Sequence, residues 1–230
     1  MKYEMFKLIK DLQFRVCLIF LFGNIIFGFL IAPRRSDFFE YSISQFLENN
    51  VDPAILLILV GLIAPTIFAS EYSYNTYKNI LPYIHKRNTF VNKVLMLLAG
   101  VAVILLFSMI IGILFAIVMT GESPTLVDIT QFIQKNVVFF VMICLSTSVL
   151  TLFSILIKNR AIVNVLSVIL TFTYLILPVP TTGKTLWQLF ELTYLEKGFL
   201  DINNLLAITV VAVIFYSVSM YIFIKQEVRC

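Results

Sequence analysis

Charge is scarce in this sequence. Asp, Glu, Lys and Arg together make up 13% of the 230 residues, whereas 60% are hydrophobic. An ordinary globular domain is about 25% charged. So little charge cannot solvate a compact surface, and so much apolar side chain excludes a disordered chain. Only three cysteines are present, and Cys17 and Cys144 stand inside apolar runs, which argues against a disulfide scaffold. Eight glycines are far too few for a collagen-like repeat. The single histidine, His85, has no carboxylate within a helical turn, so no metal-ligand cluster forms around it. A basic stripe is missing as well: the net charge of +4 is spread along the chain, which excludes a nucleic-acid partner despite a pI near 8.9.

What the chain has in quantity is long uncharged apolar sequence, with a mean hydropathy of +0.97. A membrane-spanning helix needs about 20 mostly apolar residues. Six stretches qualify, giving expected spans at 16–33, 53–70, 94–120, 136–157, 161–177 and 205–224. The fifth uncharged run continues to Gly183, but Pro178 and Pro180 end its helix near Leu177. No stretch alternates with the period of a barrel strand. The sequence therefore predicts an all-α polytopic membrane protein, one transmembrane domain with six transmembrane helices. The first stretch follows Lys2, Lys7, Lys10 and Arg15 and runs into Pro33-Arg34-Arg35 without a small-x-small cleavage site. It reads as a retained anchor rather than a secretory signal.

With six spans both termini share a side. That side carries twelve basic and four acidic residues, net +8, against five basic and nine acidic on the other, net −4. By the positive-inside rule both termini are cytoplasmic. Residues 1–15 place Met5, Leu8, Ile9 and Leu12 on one helical face, with Lys2, Lys7, Lys10 and Asp11 elsewhere, the pattern of an interfacial amphipathic helix. On the outer side, Asp37 and Glu40 have capping-box spacing. Ser123 and Pro124 are expected to start a short outer helix whose stripe of Leu126, Ile129, Phe132 and Ile133 rests on the membrane. Residues 178–204, with Trp187, Phe190, Tyr194 and Phe199 interrupted by Glu191, Glu196 and Asp201, read as a part-buried outer re-entrant segment.

The six spans hold no Asp, Glu, His, Lys or Arg. That disfavours intramembrane proteolysis and ion-coupled transport, both of which place ionisable groups in the membrane. Gly183-Lys184-Thr185 ends like a phosphate-binding loop, but the glycine needed five positions earlier is Pro178. No nucleotide site, catalytic group, metal or cofactor is assigned to this chain. Two hydroxyl-rich faces remain: Asn164, Ser167, Thr171 and Tyr174 in the fifth span, and Cys144, Thr147, Thr151 and Ser154 in the fourth. Each reads either as the lining of a substrate path or as helix–helix contact through small polar side chains.

Between the second and third spans, 71–93 forms a cytoplasmic loop. Glu71 is an acid at the inner mouth of the span, Pro82 breaks the helix, and His85, Lys86 and Arg87 turn the chain before Lys93. Glu71, Thr76, Lys78, Pro82, Arg87 and Lys93 match, in order and approximate spacing, a motif of the membrane subunits of ABC-2 type transporters, which the chain resembles over its whole length. Asn75 stands where that family usually has glycine.

The resemblance implies a permease subunit that pairs with a second permease subunit, each resting on a cytoplasmic ABC ATPase subunit through a coupling loop. Two copies of the ATPase would hold ATP and Mg, and Glu71, Thr76, Lys78, Pro82, His85, Lys86 and Arg87 would contact them. Small members of this kind resemble bacterial permeases of peptide export and lantibiotic immunity, phenol-soluble-modulin exporters among them. They imply an amphipathic or antimicrobial peptide substrate and a cell-membrane location in contact with lipid. The alternatives are an ABC-2 permease for lipid, polysaccharide or drug, and a non-transporting scaffold or sensor that uses the same loop.

Overall fold

The structure, a computed structural model, describes residues 53–69, 86–121, 123–176 and 202–225, with individual positions between 10 and 26. Five helices account for nearly all of them: α1 (Pro53–Phe68), α2 (Lys86–Thr120), α3 (Leu126–Ile157), α4 (Arg160–Ile176) and α5 (Ile202–Lys225). Among the described residues there is no strand, and the class is all-α. Among the described residues, three segments are long and apolar enough to cross a membrane: Lys86–Val118, Leu126–Ile157 and Leu205–Lys225. The expected first span, the interfacial helix over 1–15, the helix after Asp37 and the outer segment over 178–204 lie wholly or largely outside the described residues.

Two helices run past the uncharged windows that announce them. α2 has 35 residues and α3 has 32. At 1.5 Å per residue these are about 50 Å long, against a hydrocarbon core of about 30 Å. Backbone hydrogen bonding does not stop where the hydrocarbon does, so α2 is already helical at Lys86. The start of α3 also corrects the expectation at Ser123 and Pro124. Both precede the helix, and the N-cap is Thr125. Thr125 Oγ1 accepts from the Asp128 N–H at 3.3 Å, and Asp128 Oδ2 accepts from the Thr125 N–H at 2.9 Å. This reciprocal pair satisfies two backbone donors that helix geometry leaves open. Leu126, Ile129, Phe132 and Ile133 are therefore the first turns of α3 and not a separate helix on the membrane surface.

α3 and α4 are joined by a two-residue turn. Lys158 closes α3 in the left-handed region (φ 58°), and its N–H donates to the Ser154 carbonyl. Asn159 then caps α4, its Oδ1 accepting from the Ala161 N–H at 3.0 Å. The turn sends α4 back along α3, and α3 becomes the hub, touching α1, α2, α4 and α5.

The interior combines apolar clusters with small polar side chains, and the outside is apolar. Ser108, Asn136, Thr147, Ser148, Thr151, Ser154, Thr171 and Ser219 are buried, while Val103, Leu106, Ile110, Val165, Ile169, Val210, Val213 and Ile214 are exposed. Lipid tails are as apolar as leucine, so burying hydrocarbon gains little here, and small polar side chains let helices approach. Each of those buried hydroxyls and the Asn136 amide donates to a carbonyl of its own helix three or four residues back. Between helices, Thr147 Oγ1 and Tyr216 Oη meet at 2.9 Å, joining α3 to α5.

α1 meets α4 closely at Gly61. A Cβ added there would collide with Ser167 Oγ and press on Leu150 Cδ1 at 3.4 Å. Ser167 is 1% exposed, so its hydroxyl has little room to retreat. Gly61→Ala is expected to destabilise by up to about 1 kcal/mol and Gly61→Leu by about 1–3 kcal/mol or more, as overpacking does. Removing the hydroxyl in Gly61→Ala/Ser167→Ala should recover most of the loss of the single alanine variant. Denaturation in detergent micelles checks this; equal losses for the single and double variants would place the strain elsewhere.

Candidate functional site

The last turn of α1 is the point on which the described site converges, because residues 70–85 follow it directly. α1 carries Pro65 one turn before its end. Proline has no N–H, so the Gly61 carbonyl loses its partner in the helix at that step. The final turn is correspondingly less tied to the helix body. Two cations from other helices hold it. Lys93 of α2 is 0% exposed; its Nζ donates to the Ile67 carbonyl at 3.0 Å and lies 5.9 Å from the Phe68 ring centroid. A helix C-terminus presents open carbonyls and the negative end of its dipole, so an ammonium is well matched to it. α1 has no basic residue in its own last turn.

α2 supplies the same service to α5. Lys86 Nζ donates to the Ile224 carbonyl at 3.4 Å. Lys86 and Lys93 are two turns apart and share a face, with Phe90 between them. Phe90 packs against Phe68 of α1 at 5.7 Å and Phe223 of α5 at 5.6 Å between ring centroids. The first two turns of α2 thus join the C-terminal ends of α1 and α5 through one aromatic side chain flanked by two lysines.

The second cation on α1 is Arg160, the first residue of α4. Its guanidinium makes a bidentate pair with Asp11 at 2.8 and 2.9 Å and donates to Thr66 Oγ1 at 3.1 Å. The fork of Arg fits a carboxylate edge in this manner, and the two bonds fix orientation as well as distance. The Arg160 and Asp11 side chains are 16% and 20% exposed. The Thr66 hydroxyl in turn donates a hydrogen bond to the Leu62 carbonyl at 3.0 Å.

Of the residues singled out in sequence, Lys86 and Arg87 open α2, the first half-buried and the second exposed. Glu71, Thr76, Lys78, Pro82 and His85 lie outside the described residues. Ser167 and Thr171 are buried, with Ser167 against Gly61 and Thr171 bonded to the Ser167 carbonyl at 2.9 Å. Asn164 is half-buried one turn before Ser167, and the side chain of Tyr174 is not among those described. Sequence reasoning missed Asp11, Thr66 and Arg160 as a group. Asp11 is an acid in a basic tail and Arg160 a cation at the mouth of a span, but 149 residues separate them. Among the described residues no group of His, Cys, Asp and Glu could hold a metal ion.

Lys93→Met keeps the length of the side chain and removes its charge and donors. It is expected to cost about 1–3 kcal/mol, the penalty of leaving a buried acceptor without its partner. Lys93→Arg should recover part of that. Unfolding of the purified chain in micelles measures both, and a Lys93→Met variant as stable as the parent would show that Lys93 does not hold the end of α1.

No curated protein matches the chain. A family model described as ABC-2 family transporter protein matches residues 1–178, from the N-terminal segment through the end of α4. That match covers the N-terminal segment with Asp11, the gripped end of α1, the segment leading to Lys86 and the α3–α4 turn with Arg160. The chain is an integral membrane component of a transporter and belongs to the ABC-2 family of transporter proteins.

Proposed function

We propose that this chain is the membrane-spanning permease subunit of an ATP-driven exporter that moves amphipathic or antimicrobial peptides out of a bacterial cell, for export or self-immunity. ATP and Mg are bound by a separate cytoplasmic ABC ATPase, present in two copies, and two permease subunits pair in the membrane. Supporting this is the way the segment between α1 and α2 is held. Its near end leaves a helix turn gripped by Lys93 and Arg160, and its far end enters α2 at Lys86 and Arg87. A segment anchored to packed helices at both ends passes a push from a docked partner into the bundle. A segment with free ends would absorb it. Glu71, Thr76, Lys78, Pro82, His85, Lys86 and Arg87 are assigned to that docking contact, with both termini on the ATPase side.

The peptide substrate rests on resemblance to small peptide-export and immunity permeases, aided by an outer side with net −4 that does not bar release of cationic peptides. Asn164, Ser167, Thr171 and Tyr174 serve the path in this reading when α1 and α4 part at the Gly61–Ser167 contact.

The test is co-purification in mild detergent with a cognate ABC ATPase, followed by ATP turnover with and without a cationic amphipathic peptide. A stoichiometric complex with peptide-stimulated turnover is expected. Glu71→Ala and Arg87→Glu should each reduce that stimulation about tenfold while the chain still inserts, since both residues lie outside the hydrocarbon. A chain that captures no ATPase would remove the transporter-subunit reading in favour of a scaffold or sensor. Capture with turnover that responds to lipid, polysaccharide or drug but not to peptide would replace the substrate class.

A further inference from the structure

Arg160 occupies a position that stability alone does not explain. It is the first residue of α4, where the positive end of the helix dipole disfavours a cation. Its Nε is buried without an acceptor among the described residues. A part-buried ion pair is weak grounds for stability, because desolvation offsets much of its attraction, and its best-attested use is to fix one arrangement among alternatives. What Arg160 does achieve is a junction. Asp11 of the N-terminal segment, Thr66 of the last turn of α1 and the first turn of α4 meet on one guanidinium, across 149 and 94 residues of chain.

The partners have unequal freedom. α4 is fixed to α3 through the two-residue turn at Lys158 and Asn159. The last turn of α1 sits beyond the hydrogen bond that Pro65 cannot make to Gly61, and it continues into the segment assigned to the ATPase contact. Besides the packing of α1 on α4, Arg160 ties that turn by hydrogen bonds to both α4 and the N-terminal segment.

We infer that Arg160 is a positioning residue for coupling, a latch through Asp11 and Thr66 that ties the N-terminal segment and α4 to the movement of the end of α1. The inference rests on the proposed ATPase-coupled function. The latch is bidentate and planar, so a lysine at 160 keeps the charge and loses the fork.

The experiment uses the full chain in complex with its ATPase and a fluorescent cationic amphipathic peptide as the probe. The reading is the ratio of peptide-stimulated to basal ATP turnover, normalised to captured complex. Asp11→Asn and Arg160→Gln are expected to reduce this ratio about tenfold, within the range of coupling energies between linked sites. Arg160→Lys should restore part of it. The reversed pair Asp11→Arg/Arg160→Asp should restore more than either reversal alone. Thr66→Val, which removes one acceptor at nearly constant volume, should reduce the ratio by a smaller factor and covers the case in which the charge variants fail to fold. A structural role alone would lower the yield of complex and leave the ratio per complex unchanged, and that result would overturn the latch. No recovery in the reversed pair, with a normal ratio in Thr66→Val, would overturn it as well. Failure of the parent chain to capture any ATPase is a separate result: it removes the transporter-subunit reading, and the latch with it.

Discussion

Hydrocarbon offers no hydrogen-bond partner, and each polar group carried into it must find one within the protein. In this bundle the buried hydroxyls of α3, from Thr147 to Ser154, turn back onto carbonyls of their own helix. That arrangement satisfies the donors without lengthening any side chain, so α1, α4 and α5 can come close to α3. Gly61 against Ser167 differs: the absence of a side chain makes room for a buried hydroxyl that has no hydrogen-bond partner among the described residues. The outward faces need no such device, since valine, leucine and isoleucine are already matched to lipid. Small polar residues confined to the interior and an apolar outer face follow from a single solvent condition.

The same condition governs the helix ends. Each helix finishes with carbonyls that have no partner in the helix, and near the membrane boundary water does not reliably supply one. Here cations from neighbouring helices do so: Lys93 at Ile67 of α1 and Lys86 at Ile224 of α5. The Lys93 ammonium also lies over the Phe68 ring, and Phe68, Phe90 and Phe223 pack together between the two capped ends. Electrostatics and packing coincide at that end of the bundle, so the segment that leaves α1 departs from a fixed point.

Much of this was legible before the structure. The uncharged runs announced helices at α2, α3 and α5 because nearly continuous apolar sequence of that length has few other uses, and the ABC-2 resemblance carried by Glu71, Thr76, Lys78, Pro82, Arg87 and Lys93 agrees with the family match over residues 1–178. The runs did not reveal where the helices begin. Lys93 and Lys135 ended the charge-free windows, yet each belongs to a helix, because a charge limits burial in lipid and does not limit backbone hydrogen bonding. Thr125 took the cap expected of Ser123 because its partner Asp128 stands three residues on, where the reciprocal bond closes.

The sequence by itself determined the solvent of this protein and the helical class, since composition and run length depend on no contact. It also supplied the small residues along α3 and α4 that permit close packing. Only the tertiary structure decided that Asp11 and Thr66 share the guanidinium of Arg160, that Lys93 serves α1 rather than its own helix, and that Ser167 meets Gly61. Those pairings join residues 26 to 149 positions apart. Periodicity along one helix specifies which face a residue occupies, and it contains no information about which other helix will meet that face.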